Sequence, residues 1–261
     1  MIEKFDFYCT PYGEDRTIHV YLPNDYYQSG ERYPVVYMFD GQNLFYDSDA
    51  TYGTCWGIRE FLDTWWKKVI VVGMECSHHG NDRLSEYSPY PIKSRTFGKI
   101  PGTGEQTMQW LINELKPHVD NRYRTWSHRE ATAIAGSSMG GMMALYAVLR
   151  HNNVFSKAAP ISPAYFYKIK EFTAEIHDND INPDTRVFIA WGSREDSRGY
   201  MRRYSTALAS ELDALGCMTH LYRQTSGRHC EADWRKQVPM WFDYLWGEPG
   251  GERGEREERG E

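Results

Sequence analysis

Apolar and polar positions alternate along Phe5–Cys9 and again along Thr17–Leu22, and a Pro11-Tyr12-Gly13 turn signal lies between the two runs. A period of two sends alternate side chains to one face of a strand, so this opening predicts an antiparallel hairpin. Tyr33–Phe39 is almost continuously apolar and ends in Asp40-Gly41, the pattern of a strand buried on both faces that runs out into a loop. Val69–Val72, Ala131–Ala135, Lys157–Ile161, Arg186–Ala190 and Cys217–Arg223 read as further strands. Between them the spacing turns helical: Ile58, Phe61, Leu62, Trp65 and Trp66 within Trp56–Trp66, then Met108, Leu111, Ile112, Leu115 and Val119 within Glu105–Tyr123. Pro117 predicts a kink in the second of these. Met142–Arg150, Tyr165–Ile176, Tyr200–Leu215 and Asp233–Trp246 are the remaining helical stretches. Strands alternating with helices imply βαβ units, hence an α/β protein with about eight strands, mostly parallel, an antiparallel N-terminal edge and helices on both faces.

No linker interrupts residues 1–246, which predicts a single domain. Residues 247–261 form a Gly/Glu/Arg tail of low complexity, expected to be disordered. The long polar segment from Cys76 to Gly104 is expected to shape a pocket, because loops of that length are uncommon unless they serve a function.

Gly136-Ser137-Ser138-Met139-Gly140 falls between the Ala131–Ala135 strand and the Met142–Arg150 helix. A Gly-x-Ser-x-Gly on such a turn is the nucleophile elbow of α/β-hydrolases: the central serine is strained and its hydroxyl stands above the sheet. A serine needs a base, and the base needs an acid to fix its tautomer and stabilise its charge. In that fold the order is Ser, acid, His, each on a loop after a different strand. His151 and His177 come too early. His220 lies inside a strand with apolar neighbours and reads as packing. His229 lies on the Thr225–His229 loop after the last strand, where the base belongs. Glu195 and Asp196 follow the Arg186–Ala190 strand directly; Glu195 is the preferred acid and Asp196 the alternative, one of the two serving as a helix cap or ion-pair partner. Oxyanion donors are expected from the backbone N–H groups of Met139 and of Gln42, the latter on the loop after Tyr33–Phe39.

Tyr37–Asn43, Gly136–Gly141, the Phe155…Ser162-Pro163 segment, Gly192-Ser193-Arg194-Glu195 and Gly227-Arg228-His229 together resemble one branch of the α/β-hydrolases. It holds esterase D, feruloyl and acetylxylan esterases, enterochelin-esterase-like hydrolases and mycolyltransferases. The resemblance runs from about Ile18 to Trp246. It implies an ester hydrolase without a large lid domain and without a cofactor, with Ser138, Glu195 and His229 as its triad. It also implies that Trp56 borders the active site. Trp191 is taken as a second substrate-binding candidate, and Arg83 and Glu86 as a structural ion pair. The expected substrate is a small acyl or hydroxycinnamoyl ester. Acyl transfer, thioester hydrolysis of the S-formylglutathione type and siderophore-lactone hydrolysis fit the same triad, and a non-catalytic binding module is the alternative of a different class.

The net charge of −6 owes half its value to Glu248–Glu261, with six Glu and three Arg, so the body is only mildly acidic. With no basic stripe, a nucleic-acid partner is not expected. Five scattered cysteines lack metal-ligand spacing and suit a reducing compartment; the adjacent His78 and His79 have no third ligand at a useful distance, so no metal is expected. Met1–Thr10 carries Glu3, Lys4 and Asp6 where a secretory signal would be apolar, and no run has the length of a membrane span. A cytoplasmic protein acting on a small-molecule ester is the expectation; composition leaves a homo-oligomer open.

Overall fold

The structure, a computed structural model, describes residues 1–94, 96–164 and 168–247. The tail beyond 247 lies outside the described residues. In chain order the strands are β1 Ile2–Cys9, β2 Glu14–Tyr21, β3 Val35–Phe39, β4 Ile70–Met74, β5 Ile92–Ser94, β6 Gly98–Ile100, β7 Thr132–Ser137, β8 Lys157–Ile161, β9 Arg186–Gly192 and β10 Met218–Gln224. The helices are α1 Ile58–Leu62, α2 Asp82–Glu86, α3 Gly104–Trp110, α4 Lys116–Arg122, α5 Met139–Arg150, α6 Ile169–Asp178, α7 Tyr200–Ala214, α8 Glu231–Trp234 and α9 Val238–Trp246.

Eight strands form one sheet in the order β1-β2-β4-β3-β7-β8-β9-β10. β1 pairs antiparallel with β2, and β2 with β4; from β4 to β10 every pairing is parallel. The antiparallel edge and parallel body match the sequence pattern. Alternation within the buried strands builds two apolar layers. Val35, Tyr37 and Phe39 enter the layer beneath α5, whereas Val36 and Met38 enter the opposite layer with Trp241 and Phe242 of α9. No helix among the described residues is long and apolar enough to cross a membrane.

The chain leaves β3, forms β4 on one side, and later returns to place β7 on the other side of β3. The carboxyl ends of β3 and β7 therefore flank a topological switch point, the place where open α/β sheets leave a crevice.

Three expectations need correction. The Cys76–Gly104 segment is more than a loop: it contains α2 and the small antiparallel pair β5–β6. Its short elements carry too few apolar residues to show a period. Glu105–Tyr123 does not simply kink at Pro117. Leu111–Leu115 forms a π-helical turn between α3 and α4, with Lys116 N–H bonded to Leu111 O, five residues back. That shift re-registers the carbonyls ahead of a proline that has no N–H and whose ring would crowd the preceding turn. Asp233–Trp246 is not one helix either; a 3-10 turn at Arg235–Gln237 separates α8 from α9, and Pro239 opens the latter. Of Tyr165–Ile176, the observed helix starts at Ile169, and 165–167 lie outside the described residues.

Candidate active site

Ser138 joins β7 to α5 at φ 56° and ψ −119°, a conformation that L-residues rarely adopt. Neighbouring segments fix it: Ser138 N–H donates to Ile161 O at 3.0 Å, and Ser138 O accepts from Met142 N at 3.0 Å and Ala164 N at 3.0 Å. A Cβ on Gly136 would come within 2.7 Å of the Gly140 carbonyl carbon, and one on Gly140 within 2.9 Å of Phe39 Cβ. Glycine at both positions lets the elbow close and lets α5 press against the end of β3.

That contact sets the β3 loop beside the start of α5. Asp40 also takes a positive φ, 60°, and opens a short 3-10 turn at Gly41–Asn43. Asn43 N–H returns to Asp40 O at 2.9 Å and Leu44 N–H to Gly41 O at 3.4 Å. The amides of Gln42 and Met139 enter none of the turn, loop or cap hydrogen bonds among the described residues. The Asp40 carboxylate is gripped by Arg83 from α2, Nε to Oδ1 and Nη2 to Oδ2, both 2.7 Å. Burial alone would lower the guanidinium pKa; the Asp40 charge outweighs it and raises it. Arg83 and Glu86 do not pair with each other, as the sequence reading had them: Glu86 Oε1 takes Arg16 Nη2 at 2.6 Å and its Oε2 takes Ser77 N–H at 3.0 Å. Three residues apart would suit a pair on a longer helix, but α2 is a single turn between two stronger partners.

The ends of β9 and β10 supply the acidic and basic groups. Glu195 Oε2 lies 2.5 Å from His229 Nδ1. Its Oε1 accepts from Ser162 Oγ at 2.6 Å and from Gly192 N at 2.5 Å. Burial pushes the Glu195 carboxyl up, but these three hydrogen bonds outweigh it and hold the group below its ordinary range. Asp196 points elsewhere: its carboxylate accepts from Met201 N at 2.9 Å and Arg202 N at 3.0 Å, at the start of α7.

His229 is 46% exposed. Its ring meets Trp234 edge-on, centroids 5.0 Å apart, and Trp234 Nε1 donates to Ser162 Oγ at 2.9 Å. Ser162, Glu195, His229 and Trp234 thus close a ring of contacts. Asp233 ties the loop down: its Oδ2 accepts from Arg228 N at 3.0 Å and Nε at 3.2 Å, and its Oδ1 from Lys236 Nζ at 2.6 Å. Trp234 lies 5.6 Å from Trp56, whose N–H donates to Asn43 O at 2.8 Å. The loop after β10 therefore reaches back across the carboxyl ends of β9, β8 and β7 to the β3 loop. Glu231 shows the same approach electrically: burial, then the Asp40 charge, raises its carboxyl above the ordinary range.

Of the sequence candidates, His229 and Glu195 are in direct contact, and Ser138 and Met139 lie at the start of α5, which packs on the end of β3 ahead of the loop that carries Gln42. No hydrogen bond joins the Ser138 hydroxyl to His229 among the described residues. Trp56 and Trp191 are each only 2% exposed, Trp56 beneath Trp234 and Trp191 within the core. Sequence reasoning placed Asp40 and Ser162 in the segments that carry the resemblance but gave them no role, and it missed Asp233 and Trp234. Ser162 had one local sign, a Ser-Pro at the end of a buried strand; the others look like ordinary loop and helix residues until the fold brings them together. His220 packs as expected, its ring stacked 5.2 Å from Phe188.

Residues 10–242 match the model of the family described as "Putative esterase". The "Uncharacterized protein YbbA" of Bacillus subtilis is 27% identical over 184 residues, 69% of each chain. Esterase Rv1288 of Mycobacterium tuberculosis is 30% identical over 161 residues, 61% of this chain. The aligned part is 32% of that esterase's own length, so the chain spans about a third of it. Among solved structures, the BES protein from Bacillus cereus superposes with a TM-score of 0.75 at 18% identity, covering 94% of both chains. The family match over nearly the whole described chain and the strand order of the sheet agree, and the chain belongs to this esterase family of α/β-hydrolase fold, a group of carboxylesterase-type hydrolases.

Proposed function

We propose that the protein is a serine carboxylic-ester hydrolase in which Ser138 is the nucleophile, His229 the general base and Glu195 the acid that orients it. The observation that carries this reading is the 2.5 Å contact between Glu195 and His229 on a loop that crosses toward the strained elbow. With Glu195 ionised on Nδ1, that nitrogen keeps its proton and Nε2 is left as the acceptor. Nε2 takes the Ser138 proton as Oγ attacks the ester carbonyl. The amides of Met139 and Gln42 hold the oxyanion, aided by the amino end of α5. The imidazolium then protonates the leaving alcohol, and water activated by the same nitrogen releases the acid. A Ser–His hydrogen bond that forms only with substrate bound is common in serine hydrolases, whose catalytic contacts are often long when empty. The proposed substrates are small acyl or hydroxycinnamoyl esters.

A fluorophosphonate is expected to label Ser138 and no other residue, and Ser138→Ala to lower p-nitrophenyl acetate turnover by about 10⁴-fold or more. Full activity in the alanine variant would sink the assignment. A panel of acetyl, butyryl and feruloyl esters reads the acyl preference.

A further inference from the structure

At the amino ends of the parallel strands, opposite the crevice, lies a cavity of about 420 Å³. Its walls include Trp126, Lys157 at the start of β8, Arg186 at the start of β9, and Trp246 at the end of α9. Lys157 and Arg186 are register partners on adjacent parallel strands. Like charges placed side by side at strand spacing repel and destabilise the sheet. Neither has a carboxylate partner among the described residues. Lys157 Nζ donates to Glu130 O at 2.6 Å and Ser156 Oγ at 3.0 Å; Arg186 Nη1 donates to Gly247 O at 2.7 Å and Tyr244 O at 3.3 Å. Lys67, a third cation on the wall and equally unpaired among the described residues, lies 5.6 Å from the Trp246 ring, and Lys157 lies 4.9 Å from it.

The two carboxylates on the same wall are turned to Arg129, which lies 2.6 Å from Asp184 and 3.8 Å from Glu130. Burial, then the nearby charge of Arg186, pushes the Lys157 ammonium down to about 8, against the opposing charge of Asp184. The Trp246 indole N–H is buried without an acceptor among the described residues. Three cations without a carboxylate partner among the described residues, gathered in a chain of net charge −6, do not follow from its composition. Ala131, Met218 and Leu245 add an apolar stretch to a wall that also carries Pro34 and His128.

We propose that this cavity is a second ligand site, for a small aromatic carboxylate whose charge sits between Lys157 and Arg186 and whose ring lies against Trp246. An anion cancels the repulsion between the strand starts, and the apolar stretch beside Trp246 favours a ligand with a hydrophobic body over a bare inorganic ion.

Calorimetric titration of the full chain with benzoate tests this. Benzoate is expected to bind, Lys157→Gln to weaken it about tenfold, and Lys157→Arg, which keeps the charge and controls for folding, to stay within about threefold. Benzyl alcohol, with the ring and no charge, and inorganic phosphate, with charge and no ring, are each expected to bind at least about tenfold more weakly. In trace acetylation read by mass spectrometry, benzoate is expected to protect Lys157 and leave Lys4 unchanged. The site is refuted by no heat at about 10 mM benzoate, by equal affinity in the glutamine variant, by phosphate or benzyl alcohol binding as well as benzoate, or by Lys157 labelling that ignores benzoate.

Discussion

Glu195 has both oxygens committed, one to His229 and one to Ser162 and the Gly192 amide. The carboxylate cannot swing to follow the imidazole, so its aim depends on a hydroxyl that touches no reacting atom. Under the proposed mechanism Ser162 is a positioning residue. Glu195→Gln is expected to cost about 10³–10⁴ in kcat, because an amide facing Nδ1 favours the wrong tautomer. Ser162→Ala leaves the Gly192 bond and is expected to cost about tenfold in kcat with KM nearly unchanged. The Ser162 loss should also move upward the most acidic step of the kcat–pH profile, the one at which Glu195 protonates. One donor fewer raises the Glu195 pKa toward its ordinary range, and the carboxylate then protonates at a higher pH. A kcat–pH series for both variants on p-nitrophenyl acetate checks this; a merely structural Ser162 would leave the profile in place.

Among the elements, the short loop between β10 and α8 carries His229, the proposed base, and Asp233 accepts three hydrogen bonds from that loop and a fourth from Lys236. The Lys236 hydrogen bond leads, burial opposes, and the Arg228 bonds add to the first, leaving Asp233 at about 2. A carboxyl lowered on folding adds stability that is present above its unfolded value near 4 and is lost as pH falls toward 2. After discounting for solvent around the exposed Lys236 and Arg228, that contribution is about 1–2 kcal/mol. Urea unfolding should therefore show Asp233→Asn weaker than the parent by that amount at pH 7, with the gap closing below about pH 3. The neighbouring acid separates cleanly: Asp196→Ala is expected to cost about 1 kcal/mol as a lost cap of α7 while kcat stays within a few-fold, the opposite of Glu195→Gln. Equal losses of kcat in the two variants would argue against Glu195 as the acid.

At the scale of the molecule, the sheet was legible wherever burial was two-sided, because continuous apolar runs such as Tyr33–Phe39 leave few other readings. The order of strands was not, since pairing is set by contacts distant in sequence. The elbow and the His229 loop could be read because each combines a local motif with a predicted strand end. Asp40–Arg83 spans 43 residues and Trp234–Ser162 spans 72, so no local pattern announces either. The helix over Glu105–Tyr123 shows the other limit: hydrophobic spacing alone does not distinguish a kinked α-helix from one with a π-helical turn before Pro117.

The loop that returns from β10 over the earlier strand ends has a consequence for biogenesis. A chain made from its amino end completes its elbow about ninety residues before it supplies position 229. On the proposed mechanism, Ser138 has no proton acceptor until the last strand docks, and the nascent polypeptide is expected to be inert toward esters. Chemical competence would then arrive as the final act of assembly, and a molecule truncated before that loop is expected to lack its proton acceptor.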